Sequence, residues 1–202
     1  MRRKSESRRL AILQAAAELF RDTGFSLTSM ADICARVGCS KPTLYNYFES
    51  KEALFSAVVF DAARSEFQAT LQALNPAGPD IAQSLEQFGQ RLIKLLYSPQ
   101  VQARRRMVIA EASRSGLGPS CYEMGPARSE AAIAELLQQA MDQGTLRKGN
   151  ARVASAHLKG LLEAEWIEPF LCNTLPEISD AQIQASVARS VSVFMMAYGP
   201  TP

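Results

Sequence analysis

The stretch KPTLYNYFESKEALF, Lys41–Phe55, opens with a two-turn segment whose faces carry different chemistry. Leu44 and Phe48 lie four residues apart, so on a helix they share one side and point into a core. Thr43, Tyr45, Asn46 and Tyr47 are left facing outward, with Lys41 before them and Lys51 after. Hydroxyl, amide, phenol and ammonium groups crowded on the outside of so short a helix describe a surface built to touch something.

The residues upstream say what kind of surface. Ser40 is a natural N-cap for the segment, and Pro42 fits within a first helical turn, where a missing N–H costs nothing. Gly38, in Val37-Gly38-Cys39, accepts a positive φ and permits a sharp reversal. Before it, Ile33 and Val37 supply the buried side of another helix, which Thr28 or Ser29 can cap and whose first turn holds Asp32. Residues 29–48 thus read as helix, short turn, helix, the helix-turn-helix arrangement whose second helix enters the DNA major groove. Lysine suits guanine acceptors or phosphate, asparagine suits adenine, and threonine offers a hydroxyl or a methyl contact. Tyrosines can lay rings on sugars and hydroxyls on phosphate. The predicted DNA-binding set is Thr28, Ser29, Ser40, Lys41, Pro42, Thr43, Tyr45, Asn46, Tyr47 and Lys51. In it Ser40 offers a hydroxyl and an N–H to phosphate, and Lys51 grips the flanking strand. Packing between helices is the alternative for Tyr45 and Tyr47.

Charge is distributed to match. The 202 residues carry a net charge of +2. Residues 1–52 hold nine Lys/Arg against six Asp/Glu, and Arg2, Arg3, Lys4, Arg8 and Arg9 concentrate the excess at the start. A polyanion could use that run, although for the run taken alone a solvated tail is the favoured reading.

The rest of the chain predicts an all-α fold of about nine helices. Leu10, Leu13, Ala17 and Phe20 mark an apolar stripe in the first helix, which Gly24 ends. The helix from Lys51 runs to about residue 74, where NPAGPD is the clearest break. Further helices are expected at 80–97, 101–115, 121–143, 150–172 and 179–197, with VSVF at Val191–Phe194 locally ambiguous between helix and strand. The expected domains are 1–52, a helix-turn-helix DNA-binding domain, and 53–202, a helical effector-binding and dimerisation domain.

Several function classes are disfavoured. Cys34, Cys39, Cys121, Cys172 and the single His157 have no metal-ligand spacing, so neither a metal site nor a cofactor is expected. Cys39 lies in a turn, where redox sensing would need exposure and a lowered pKa. The chain offers no HExxH, no GxSxG and no Gly-rich phosphate loop, which argues against an all-helical enzyme. No apolar run reaches the roughly 18 residues needed to span a bilayer. The basic start lacks a convincing cleavage site for export, so a cytoplasmic protein without a membrane role is expected.

Two stretches resemble a known family. TSMADICARVGCSKPTLYNYFESKEALF, within a match from about Arg8 to Phe60, is similar to the DNA-binding domain of TetR-family transcriptional regulators. The resemblance implies that Lys41, Thr43 and Tyr45 face bases or nearby phosphates while Tyr47 and Lys51 clamp the backbone. Pro42 and Cys39 stand where many members carry glycine and valine, and each tunes how the recognition helix sits. RRRMVIAEASRSGLGPSCYEMGPARSEAAIAELLQQAMDQGTLR, residues 104–147, resembles the C-terminal domain of AefR-like members.

That likeness implies a homodimeric, sequence-specific DNA-binding repressor on a palindromic operator in double-stranded DNA, released by a small, largely apolar effector. The last two helices, 150–172 and 179–197, would form the dimer interface. Effector-binding candidates are Phe67, Phe88, Met107, Glu111, Tyr122, Trp166 and Phe170, against ordinary core packing for the apolar ones. Glu111 either faces a ligand cation or pairs with Arg114 or another base. A helical protein-binding module without DNA binding is the rival reading.

Overall fold

The computed structural model describes residues 5–76, 78, 80–112 and 116–200, without the side chains of 61–65. Every regular element among them is a helix: α1 Glu6–Thr23, α2 Met30–Val37, α3 Lys41–Tyr47, α4 Lys51–Leu71, α5 Ile81–Leu96 and α6 Pro99–Ala112, then α7 Gly118–Met124, α8 Pro126–Asp142, α9 Ala151–Glu163, α10 Ile167–Leu171 and α11 Asp180–Tyr198. VSVF lies inside α11 and is helical.

Two of the expected helices are each divided. The segment 121–143 breaks at Gly125, where φ is −117° and ψ −88°, immediately before Pro126. A residue preceding proline is pushed out of the helical region. The segment 150–172 breaks between Glu163 and Ile167. Pro169 has no N–H to give the carbonyl four residues earlier, at Glu165, so the α-helical ladder cannot run through.

The chain forms two compact units. Unit 1 comprises Met1–Arg64 with Ala103–Pro126; unit 2 comprises Ser65–Gln102 with Ala127–Pro202. By compactness the division falls inside α4 and again inside α6, with 103–126 grouped with the N-terminal helices.

In unit 1, Ile12, Ala16 and Phe20 of α1 meet Ile33 and Cys34 of α2, Leu44 of α3, and Leu54, Phe55, Val58 and Val59 of α4. Leu117 and Cys121 complete that core. Phe20, Phe25 and Phe55 form a three-ring cluster with centroids 5.1–5.7 Å apart. The buried stripe of α1 is rotated from the expected one: Leu10 is 56% exposed, whereas Ile12 is fully buried. Leu10, Ala11, Ile12 and Leu13 are consecutive, so apolar periodicity alone leaves the face ambiguous.

Unit 2 packs α11 against both α5 and α9. Its core draws on Leu85, Phe88 and Leu92 of α5, Ile133, Leu137 and Met141 of α8, Leu158 and Leu162 of α9, and Val187, Val191 and Phe194 of α11. Gly89 makes the close crossing possible, since a Cβ there would come within 2.8 Å of both Leu162 and Val187. The Ser190 hydroxyl donates to the Leu161 carbonyl at 2.8 Å, joining α11 to α9. No helix among the described residues is long and apolar enough to cross a membrane.

Candidate nucleic-acid interface

The site begins with how α2 and α3 are started and stopped. Ser29 caps α2: its hydroxyl accepts from the Asp32 amide at 3.2 Å, and the Asp32 carboxylate accepts from the Ser29 N–H at 2.8 Å. Together these satisfy two helix-end donors reciprocally. The Ser29 hydroxyl and N–H hold the Asp32 carboxyl below the usual aspartate range. At the other end Gly38 takes φ +69° and ψ +46°, and the N–H groups of Gly38 and Cys39 both reach the Cys34 carbonyl. Left-handed backbone of this kind is what favours glycine at a helix C-terminus.

Ser40 then caps α3, accepting from the Thr43 N–H at 3.3 Å, while the two hydroxyls lie 2.8 Å apart. Seven residues make a helix too short to persist alone in water. Leu44, fully buried, and Phe48, 6% exposed, fasten it to the core. Lys41, Pro42, Tyr45 and Asn46 are exposed, and Thr43 is half-buried. Of the four side chains expected to face outward, Tyr45 and Asn46 are exposed, whereas Thr43 and Tyr47 are half-buried. Tyr47 is half-buried against the unit 1 core, and its hydroxyl accepts from the Ser5 N–H at 3.0 Å.

Three of the residues singled out from sequence make contacts within unit 1. Thr28 is 2% exposed, and its hydroxyl serves the turn itself, 2.8 Å from the Gly24 carbonyl and 2.8 Å from the Thr23 hydroxyl. Lys51, assigned to the DNA backbone, donates to the carbonyls of Phe25 at 2.8 Å and Thr28 at 2.9 Å, with its ammonium 4.2 Å above the Phe25 ring. Glu111, assigned to an effector or a basic partner, is 8% exposed and accepts the Phe25 N–H at 3.1 Å. Arg114 lies outside the described residues. An acid within MVIAEA was a visible signal, but its backbone partner stands 86 positions away and no spacing encodes it.

The effector candidates fall in both units. Met107, Glu111 and Tyr122 belong to unit 1, and Tyr122 is 54% exposed. Phe67, Phe88, Trp166 and Phe170 belong to unit 2. There Tyr97 stands 6.4 Å from Trp166 and 6.1 Å from Phe170, ring centre to ring centre, and donates its hydroxyl to the buried Glu163 carboxylate at 3.0 Å. The buried Trp166 Nε1–H has no acceptor among the described residues. Tyr97 and Glu163 were not singled out from sequence; an acid within an apolar helix was the available cue.

The cysteines are free thiols. Burial pushes the Cys34 thiol up, with the neighbouring Cys39 adding to the shift. That direction leads away from a reactive thiolate. Among the described residues no cluster of three or more His, Cys, Asp or Glu could hold a metal ion.

A capped helix-turn-helix in unit 1, joined to a second all-helical unit, is the arrangement of a transcriptional regulator. Residues 12–58 match the family model described as bacterial regulatory proteins, tetR family, and residues 83–200 match that of the AefR-like transcriptional repressor C-terminal domain. The chain belongs to the TetR family. The HTH-type transcriptional regulator UidR of Escherichia coli K12 is 31% identical over 127 residues, 55% of this chain and 65% of UidR. The match thus spans a little under two thirds of that relative. EthR of Mycobacterium tuberculosis is 37% identical over 81 residues, 39% of this chain and 37% of EthR. A TetR-family regulator structure from Mesorhizobium loti superposes with a TM-score of 0.81 at 29% identity, covering 97% of this chain and all of that one.

Proposed function

We propose that the protein is a homodimeric, sequence-specific DNA-binding repressor whose α3 reads the major groove. The observation that carries this reading is the Ser40-capped helix that buries Leu44 and Phe48 while turning Lys41, Tyr45 and Asn46 outward. In this reading Asn46 and Thr43 meet base edges, Lys41 meets guanine or phosphate, and Ser40, Tyr45 and Tyr47 meet the sugar–phosphate backbone. Two copies of α3 about 34 Å apart would read the halves of a near-palindromic operator. Val153 of α9, and Val193 and Met196 of α11, which are 44%, 47% and 73% exposed, support a dimer face on the last long helices.

A largely apolar small molecule would relieve repression by favouring a conformation with the wrong spacing between recognition helices, transmitted along α4. Such coupling is typically worth about 1–3 kcal/mol. The aromatic group of Tyr97, Trp166 and Phe170 in unit 2 supports an effector seat there, because the indole N–H offers an unused buried donor. Residues 1–52 are proposed to read DNA and 53–202 to bind effector and partner, in the cytoplasm.

The test selects duplexes from a randomised pool with the wild-type protein, then titrates the enriched sequence by fluorescence anisotropy at several salt concentrations. Phosphate contacts release counterions, so affinity should fall steeply with salt. A flat dependence, or no enrichment, would assign the same face to a protein partner instead.

A further inference from the structure

We infer that Glu111 and Lys51 are positioning residues, a two-sided polar clamp on the α1–α2 turn that sets the angle at which α2 and α3 are offered to DNA. The inference rests on the DNA-binding reading above but not on any contact between these two side chains and DNA.

Between α1 and α2 the chain must reverse through Gly24–Ser29, and backbone groups in such a turn fall outside any helix ladder. Phe25 is 4% exposed, so water cannot serve its N–H. The carboxylate of Glu111, on α6, accepts it at 3.1 Å. On the carbonyl side the ammonium of Lys51, at the start of α4, takes Phe25 at 2.8 Å and Thr28 at 2.9 Å, with Ser26 at 3.5 Å. The same ammonium lies 4.2 Å over the Phe25 ring. A carboxylate thus meets the N–H of one residue while an ammonium meets its carbonyl, and both are charge-assisted bonds, stronger than neutral ones. The clamped turn leads directly into Ser29, the cap of α2, and through α2 into the reversal at Gly38 and α3.

The clamp also fixes which side chains are available for phosphate. A lysine ammonium has three donors. Those of Lys51 are directed at the turn, which leaves Lys41 as the exposed lysine of the recognition helix.

The experiment uses the full-length protein and the duplex enriched by the wild type. Glu111→Ala and Lys51→Met should each weaken binding about tenfold, while the slope of log affinity against log salt stays at the wild-type value. Glu111→Gln keeps an acceptor oxygen and should bind within about threefold of wild type. By NMR, exchange of the Phe25 amide should accelerate in Glu111→Ala and stay slow in Glu111→Gln. Glu111→Asp, which keeps the charge but withdraws it by one methylene, serves if the alanine variant does not fold, and should also bind more weakly. A Lys51→Met slope shallower by about one phosphate charge would put Lys51 on the DNA and overturn the clamp. Folded Glu111→Ala or Glu111→Asp protein binding like wild type would overturn it as well. A wild type that enriches no duplex is a different result: it removes the DNA-binding reading and the clamp's purpose with it.

Discussion

Arg189 of α11 grips Glu165 with two prongs, Nε and Nη2 donating to Oε1 at 3.0 and 2.9 Å and Nη2 to Oε2 at 2.8 Å. The guanidinium holds the Glu165 carboxyl below the usual glutamate range. Both side chains are well exposed, 61% and 43%, so solvent screens the pair and its contribution to stability is small. Because the folded value is depressed, this contribution is present above the ordinary glutamate range and disappears as pH falls through the folded value. The difference between wild type and Arg189→Met in urea unfolding should shrink on acidification and vanish in strong acid.

Gly89→Ala sets two effects against each other. Alanine in a helix interior gains about 0.8–1.0 kcal/mol over glycine. Against that, its methyl would approach both Leu162 and Val187 at 2.8 Å in the core of unit 2. Overpacking typically costs about 1–3 kcal/mol. The net expectation is destabilisation, seen as a lower melting temperature, and Leu162→Ala should cost less in the Gly89→Ala background than in the wild type.

On the proposed DNA face, Asn46→Ala should cost about 1–3 kcal/mol on the best duplex and flatten preference at one base position. Lys41→Ala should instead weaken binding on all duplexes alike and make the salt dependence shallower by about one charge. Repeating the selection from a randomised pool with each variant separates the two outcomes.

Asp32 supplies a local pH marker. Its carboxyl is held below the usual aspartate range by the Ser29 hydroxyl and N–H, so the capping box is intact above that range and lost as pH falls through the folded value. Amide exchange at Ser29 and Asp32, corrected for intrinsic rates, should accelerate there. Asp32→Asn should remove that pH dependence.

What could be read from sequence was local. Ser40, Pro42, Leu44 and Phe48 carry their roles in neighbouring residues, through capping and four-residue spacing, and α3 was legible from them. The breaks at Gly125 and after Glu163 lie within segments expected to be single helices. In each case a proline acts at a distance, one residue upstream for Pro126 and four for Pro169. The contacts of Lys51 and Glu111 with the backbone of Phe25 were not legible, because only tertiary packing brings these groups together. An exposed-looking lysine beside a recognition helix suggests phosphate, and nothing in its neighbours reveals a turn folded beneath it.

The discontinuity of unit 1 bears on protein engineering. A fragment severed after Arg64 would carry α1–α3 yet abandon Leu117 and Cys121, which are 4% and 2% exposed in its core, together with the Glu111 carboxylate. Chimeras that graft this N-terminal portion onto a foreign partner should lose cooperativity of folding unless the 103–126 stretch is transplanted with it.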